Sequence, residues 1–214
     1  MLKPFLVRCL FKPLRWYGSI QAFRNSVLLE DGWIRSLNQG EVVDRMGAPI
    51  PWITYPAIDF LSRISAQHLS VFEWGSGQST RWWCARASRV VACEHDPSWY
   101  AKMANVLPGN GVIHHVPLDD TDAYTGFIRK AGSPFDVVVI DGRRRVECAK
   151  SCLSGLSSHG VIIWDNTDRP EYLPGIKFLL DAGFHRVDFW GAIPLVPGKS
   201  CTSIFFKDVN CLGI

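Results

Sequence analysis

Long apolar runs are missing from this 214-residue chain: no stretch approaches the ~18–20 consecutive apolar residues that a membrane-crossing helix needs. The first 30 residues also lack the layout of a secretory signal, so a cytoplasmic protein is expected. Charge excess is small. The 23 Lys+Arg against 20 Asp+Glu leave a formal net charge of +3, which is no footprint for nucleic acid, and no such partner is expected. Repeats and low-complexity segments are absent. With 47% hydrophobic and 20% charged residues, disorder, collagen-like repeats and coiled coil are poor explanations. Metal-type cysteine spacing is lacking too: the seven cysteines are an odd number scattered through predicted strands and helices, as suits reduced thiols. Cys148 and Cys152 share a helix face at i, i+4, but no second pair or His stands near them. A chain of this size buries roughly 70% of its unfolded surface and needs no staple.

The charge is unevenly placed. Residues 1–29 hold Lys3, Arg8, Lys12, Arg15 and Arg24 and no acid, whereas the remainder has 18 basic and 20 acidic residues. Within residues 2–17, Leu2, Phe5, Leu6, Leu10 and Trp16 recur at helix-like intervals among those cations. We therefore divide the chain into a basic amphipathic arm, 1–29, and a domain, 30–214. Such an arm suits peripheral contact with the inner face of a membrane. Packing on the body, or exchange with a partner subunit in a homo-oligomer, is the alternative.

From about residue 53, short apolar runs alternate with amphipathic stretches. The runs are Leu69–Glu73, Arg89–Glu94, Val112–Pro117, Phe135–Asp141 and Gly160–Asp165; the helical stretches are Ser79–Ala87, Pro97–Leu107, Asp122–Ala131 and Val146–Leu156. This alternation predicts an α/β fold, a doubly wound, mostly parallel sheet with helices on both faces. Val137 to Ile140 and Val161 to Trp164 are apolar on both pleat faces, as central parallel strands should be. Tyr55–Ala66 and Glu171–Ala182 read as further helices. Phe184–Trp190 and Cys201–Lys207 read as an antiparallel hairpin closing the sheet edge, joined by a loop. Residues 30–56, with three prolines, read as an ordered loop.

The most informative stretch is Phe72-Glu73-Trp74-Gly75-Ser76-Gly77-Gln78-Ser79-Thr80. A strand ends, two glycines allow a tight turn, and a helix begins near Ser79, which is how such sheets cradle nucleotide-like ligands. Glu94 ends the next strand, where an acid accepts from a ribose diol, and His95 stands beside it. A dinucleotide loop wants a small third residue, but this chain has Thr80 there. Glu73 would repel a pyrophosphate and suits a ligand carrying an ammonium and a sulfonium, which points to S-adenosylmethionine (SAM), with a dinucleotide as the alternative.

Phe72 to Gly77 resembles the first motif of the class I SAM-dependent methyltransferases, Glu94 matches their ribose-binding acid, and Phe135–Gly142 is similar to their fourth-strand motif. More narrowly, residues 51–56, 141–149, 165–169 and 201–206 resemble a group of small bacterial methyltransferase-like proteins. The resemblance covers about residues 31–207. It implies a Rossmann-like sheet of seven strands with an antiparallel last strand, and transfer of a methyl group, here expected on a hydroxyl or carboxylate oxygen of a small molecule or glycan. The cofactor contacts it implies are Glu73, Gly75, Ser76, Gly77, Ser79, Thr80, Glu94, His95, Asp119 and Asp141. Asp119 would accept from the adenine amino group and Asp141 would lie nearest the methyl.

Asp141, Asp165 and Asn166 fall at adjacent strand ends, similar to the metal site of catechol-type O-methyltransferases, and such oxygens suit Mg²⁺ or another divalent cation. The plainer alternative is that Asp141 lines the SAM pocket while Asp165 and Asn166 cap the following turn. Arg143, Arg144 and Arg145 follow Asp141 and suit a carboxylate, phosphate or acidic sugar of the acceptor; alternatively one or two of them hold the loop against Glu147, Asp165 or Asp168. Trp52 and Tyr55 are candidates to stack on the acceptor, against simple packing. His114 and His115 on the third strand, and His95, are candidates for a base near the methyl, against simple packing or solvent exposure. A non-catalytic binding protein, or a transferase using another nucleotide-like cofactor, is the competing function.

Overall fold

The computed structural model describes residues 16–132 and 134–214. Seven strands form one sheet: β1 (Ser70–Trp74), β2 (Arg89–Glu94), β3 (Gly111–His115), β4 (Phe135–Ile140), β5 (Leu156–Asp165), β6 (His185–Ile193) and β7 (Val196–Phe206). Their order is β3-β2-β1-β4-β5-β7-β6. The first five pair in parallel, and β7 runs antiparallel to both β5 and β6. This is the expected sheet with an antiparallel last strand. The helices are α1 (Tyr17–Arg24), α2 (Val27–Glu30), α3 (Trp33–Gln39), α4 (Tyr55–Ser62), α5 (Gln78–Cys84), α6 (Pro97–Ala104), α7 (Thr121–Thr125), α8 (Arg145–Cys152) and α9 (Leu173–Asp181).

The central strands are apolar on both faces because both faces are covered. On one side Val71, Val137 and Ile163 meet Ile58 and Leu61 of α4 and Trp83 of α5. On the other, Phe72, Val138 and Ile162 meet Tyr124 of α7, Cys148 and Cys152 of α8, and Leu179 of α9. All cysteines among the described residues are free thiols, and Cys148 and Cys152 of α8 are buried, with each thiol bonded to a backbone carbonyl. No helix among the described residues is long and apolar enough to cross a membrane.

Three expectations need correction. Residues 30–56 are not wholly loop: α3 lies within them, bracketed by Gly32 at φ 88° and Gly40 at φ 66°, left-handed positions that glycine takes at little cost. The helix read over 122–131 breaks into α7 and a 3₁₀ turn, Phe127–Arg129, at Gly126. The loop expected between the last two strands is largely strand, turning only at Pro194 and Leu195, because Gly191 pairs with Ser200 and Ala192 with Lys199. The boundary drawn at residue 29 falls inside α2. The basic segment over 2–15 lies outside the described residues.

Chain connectivity reverses direction between β1 and β4, which are neighbours in the sheet. In open parallel sheets the crevice at that point, beyond the carboxyl ends of the strands, is where ligands bind. The ends of β1, β2, β4 and β5 carry Trp74, Glu94, Ile140 and Asp165 to this edge.

Candidate active site

The loop leaving β1 is built by two glycines that touch. Gly75 sits at φ 93°, and a Cβ there would stand 3.1 Å from the Cα of Gly142; one on Gly142 would collide with the Gly75 backbone and the Tyr124 hydroxyl. The two loops thus approach at backbone distance, which only glycine permits. The loop then enters α5, where Thr80 Oγ1, fully buried, accepts from the Gly77 amide at 3.0 Å.

Glu73 lies just before this turn. Its side chain is 1% exposed, and neither carboxylate oxygen has a hydrogen-bond partner. Desolvation pushes its pKa up to about 8; the nearby Thr80 and Ser79 hydroxyls offset only part of this, and the charge of Asp141 adds to it. An unpaired buried carboxyl is costly, and one that borders a cavity is placed for a ligand to complete it.

Glu94 is nearly as buried but fully engaged. Its Oε2 accepts from the backbone N–H and hydroxyl of Ser76 at 3.1 and 3.0 Å, and Oε1 accepts from the amides of His95 and Asp96 at 2.8 and 2.9 Å. The His95 Nδ1 lies 2.8 Å from Oε1 without the alignment of a hydrogen bond. Glu94 therefore ties the β1 loop to the start of α6. There Asp96 caps the helix through the Trp99 amide, and the Trp99 indole N–H donates to the Ser76 carbonyl at 2.7 Å, laying its ring beside Gly77.

The ends of β4 and β5 are joined by Arg145. Its guanidinium makes five hydrogen bonds: to the carbonyls of Gly142, Asp165 and Asp141, to Asn166 Oδ1, and to Asp141 Oδ1 at 2.8 Å. Asp165 Oδ1 accepts from the Thr202 hydroxyl at 2.6 Å. Burial raises the pKa of both carboxyls; Arg145 pulls Asp141 back, whereas Asp165 is raised further by the charge of Asp141. Asp141 sits deep in the molecule, yet 26% of its side-chain surface faces open space. Two non-glycine residues are held left-handed in these loops, Arg144 at φ 52° and Asn166 at φ 59°, a strain that tends to gather at functional sites.

Three of the oxygens that the resemblance offered to a divalent cation already have protein partners. Asp141 Oδ1 and Asn166 Oδ1 are spent on Arg145 and Asp165 Oδ1 on Thr202, so a guanidinium supplies the positive charge at that place. No group of three or more His, Cys, Asp or Glu with metal-holding geometry occurs among the described residues.

Around these loops opens a cavity of about 410 Å³, within the usual range for small-ligand sites. Glu73, Gly75, Ser76, Ser79, Glu94 and His95 line one part of it, and Asp141, Arg143, Asp165, Asn166 and Trp52 another. Five expected residues are not in its lining. Gly77 and Thr80 shape the loop from behind. Arg144 faces a neighbouring hollow. Asp119 is exposed on the loop after β3 and accepts only from the Asp120 amide. Tyr55 is buried under α4 and borders a different hollow near Asp31 and Asp44. His114 and His115 are exposed on β3 and do not line the cavity. Sequence reading missed Trp99, Arg169, Ile193 and Val196, which do line it. For Trp99 a signal existed: an Asp-Pro helix start directly after the ribose acid places the helix's third residue over the glycine loop.

Sheet order, antiparallel final strand and glycine loop after β1 together define the fold of the class I SAM-dependent methyltransferases. Solved structures with this fold include a precorrin-6Y C5,15-methyltransferase from Geobacter metallireducens, 16% identical, with 70% of this chain and 86% of that one covered at a TM-score of 0.54. An rRNA methylase from Streptococcus thermophilus is 12% identical, covering 73% and 99% at 0.50. An O-methyltransferase of tomaymycin synthesis from Streptomyces achromogenes, solved with SAM, is 18% identical, covering 66% and 74% at 0.51. No protein-family model matches the chain, and no curated protein matches it in sequence.

Proposed function

We propose that the protein is a SAM-dependent methyltransferase that methylates a hydroxyl or carboxylate oxygen of a small molecule or glycan. The observation that carries this reading is Glu73, a buried carboxyl with no partner of its own, bordering the cavity at the β1 loop. A pyrophosphate would be repelled there, whereas an α-ammonium supplies the missing donors and charge. When bound, SAM supplies an electrophilic methyl on a sulfonium, so the protein's share is largely positioning and charge.

Glu73 binds the ammonium and Glu94 the ribose diol. The Ser76 hydroxyl is the one donor on Glu94 that a diol replaces without unmaking backbone geometry. Trp99 flanks the glycine loop, and its ring offers a flat face to the nucleoside. Asp141, oriented by Arg145, is the group assigned to the acceptor hydroxyl. The acceptor approaches past Trp52, whose indole N–H is anchored on the Pro194 carbonyl at 2.8 Å while its ring is 48% exposed. With Ile193 and Val196 it makes an apolar lip suited to a ring or sugar face.

Equilibrium titrations with SAM, S-adenosylhomocysteine (SAH) and NAD⁺ test the reading. Binding of SAM and SAH at micromolar concentration is expected, with none for NAD⁺. Binding of NAD⁺ alone, or of none of the three, would overturn it.

A further inference from the structure

The cavity has a second chamber. A hollow of about 420 Å³ lies against it, and the two share Gly142, Arg143, Arg145 and Arg169 as a common wall. Arg144 completes the hollow's basic side. Arg145 is spent, with five hydrogen bonds inside the protein. The guanidinium groups of Arg143, Arg144 and Arg169 are not: none has a hydrogen bond or ion pair among the described residues, and Arg169 merely overhangs the Tyr172 ring at 6.0 Å. Two acids, Glu147 and Glu171, also border the hollow, yet neither pairs with these arginines. Three guanidinium groups on one rim, none paired with the two carboxylates that border the same hollow, leave strong bidentate donors without a protein acceptor.

We infer that the methyl acceptor is itself an anion, and that its phosphate or carboxylate group is held in this second chamber by Arg143 and Arg169, with Arg144 at the rim. This rests on the methyltransferase reading and narrows its substrate class. The acceptor then spans the shared wall: its acidic group lies among the arginines, and the oxygen to be methylated lies near Asp141. The cofactor's cation is taken at Glu73 and the acceptor's anion on the far side of Asp141, so the two ligands are sorted by charge. Arg169 contributes twice, since its field also helps keep Asp141 ionised.

The test is calorimetric titration of the full chain, free and saturated with SAH, using phenyl phosphate, benzoate and neutral benzyl alcohol as probes. At least one anionic probe is expected to bind tenfold or more tightly than benzyl alcohol, and the stronger of the two identifies the acidic group. The double variant Arg143→Ala/Arg169→Ala is expected to lose that preference by tenfold or more, with its thermal midpoint little changed because neither guanidinium has a hydrogen bond or ion pair to lose. Equal binding of charged and neutral probes, no binding of any, or full anion affinity in the double variant would overturn the inference. Failure of SAH to bind while an anionic probe still binds the free chain would count against the methyltransferase reading alone.

Discussion

Two carboxylates at the same sheet edge, Glu73 at the end of β1 and Asp141 after β4, border the same cavity and yet stand in opposite states. Asp141 is met by a guanidinium that also ties down Asn166 and three backbone carbonyls. Glu73 has the Ser79 and Thr80 hydroxyls nearby but no hydrogen bond and no cation. The comparison separates architecture from function: a satisfied charge holds loops in place, while an unsatisfied carboxyl keeps a cost that protonation or a ligand relieves. Glu94 stands between them, satisfied by four protein donors of which one is exchangeable.

The contrast breaks if the two regions respond alike to mutation. Glu73→Gln is expected to weaken SAH binding on the order of 10²-fold, the worth of a charge-assisted contact, as read by calorimetry. The same variant should not lose stability without ligand. Because burial raises the folded-state pKa of Glu73 to about 8 from 4.5, its favourable contribution is complete below about pH 4.5 and is lost as pH rises through 8. Above that pH the Gln variant should melt higher than the parent. Arg145→Ala should do the reverse. Leaving Asp141 buried without its cation is expected to cost about 3 kcal/mol and lower the melting midpoint by roughly 10 °C in a thermal scan.

A finer effect concerns pH. Glu73 must ionise to take an ammonium, so SAH affinity should fall by about tenfold per pH unit below 8, measured across buffers from pH 6 to 8.5. Smaller still, Tyr55→Phe and Asp119→Ala should change SAH affinity by less than about twofold, since neither residue lines the cavity. EDTA or added Mg²⁺ should leave it unchanged, because Arg145 already supplies the positive charge beside Asp141.

How much of this was legible before folding differs between the same two regions. Glu73, Gly75 and Glu94 could be read because a single local rule, strand to glycine turn to helix, fixes where they sit. The three consecutive arginines could not be told apart: Arg145 is set inward by the first turn of α8, whereas Arg143 and Arg144 stay outside, and no composition rule separates neighbours across a helix start. Tyr55 was misplaced because α4 begins at that residue and turns the ring beneath itself into the core. The last hairpin looked like a loop because Val196 to Lys199 are exposed and include a proline and a glycine where β7 has outrun β5 and pairs only with β6. Ile193 and Val196 reach the cavity from the hairpin near the end of the chain, and such convergence leaves no local mark, unlike Trp99, which the Asp96-Pro97 helix start marks.

The most direct test of the account is the proton balance of binding. SAH titrated into the chain at pH 7 in two buffers of different ionisation enthalpy should release about one proton, and the release should vanish in Glu73→Gln along with most of the affinity. Binding without proton release, and with equal affinity in parent and variant, would contradict the claim that the unpaired carboxylate of Glu73 is what the ligand completes.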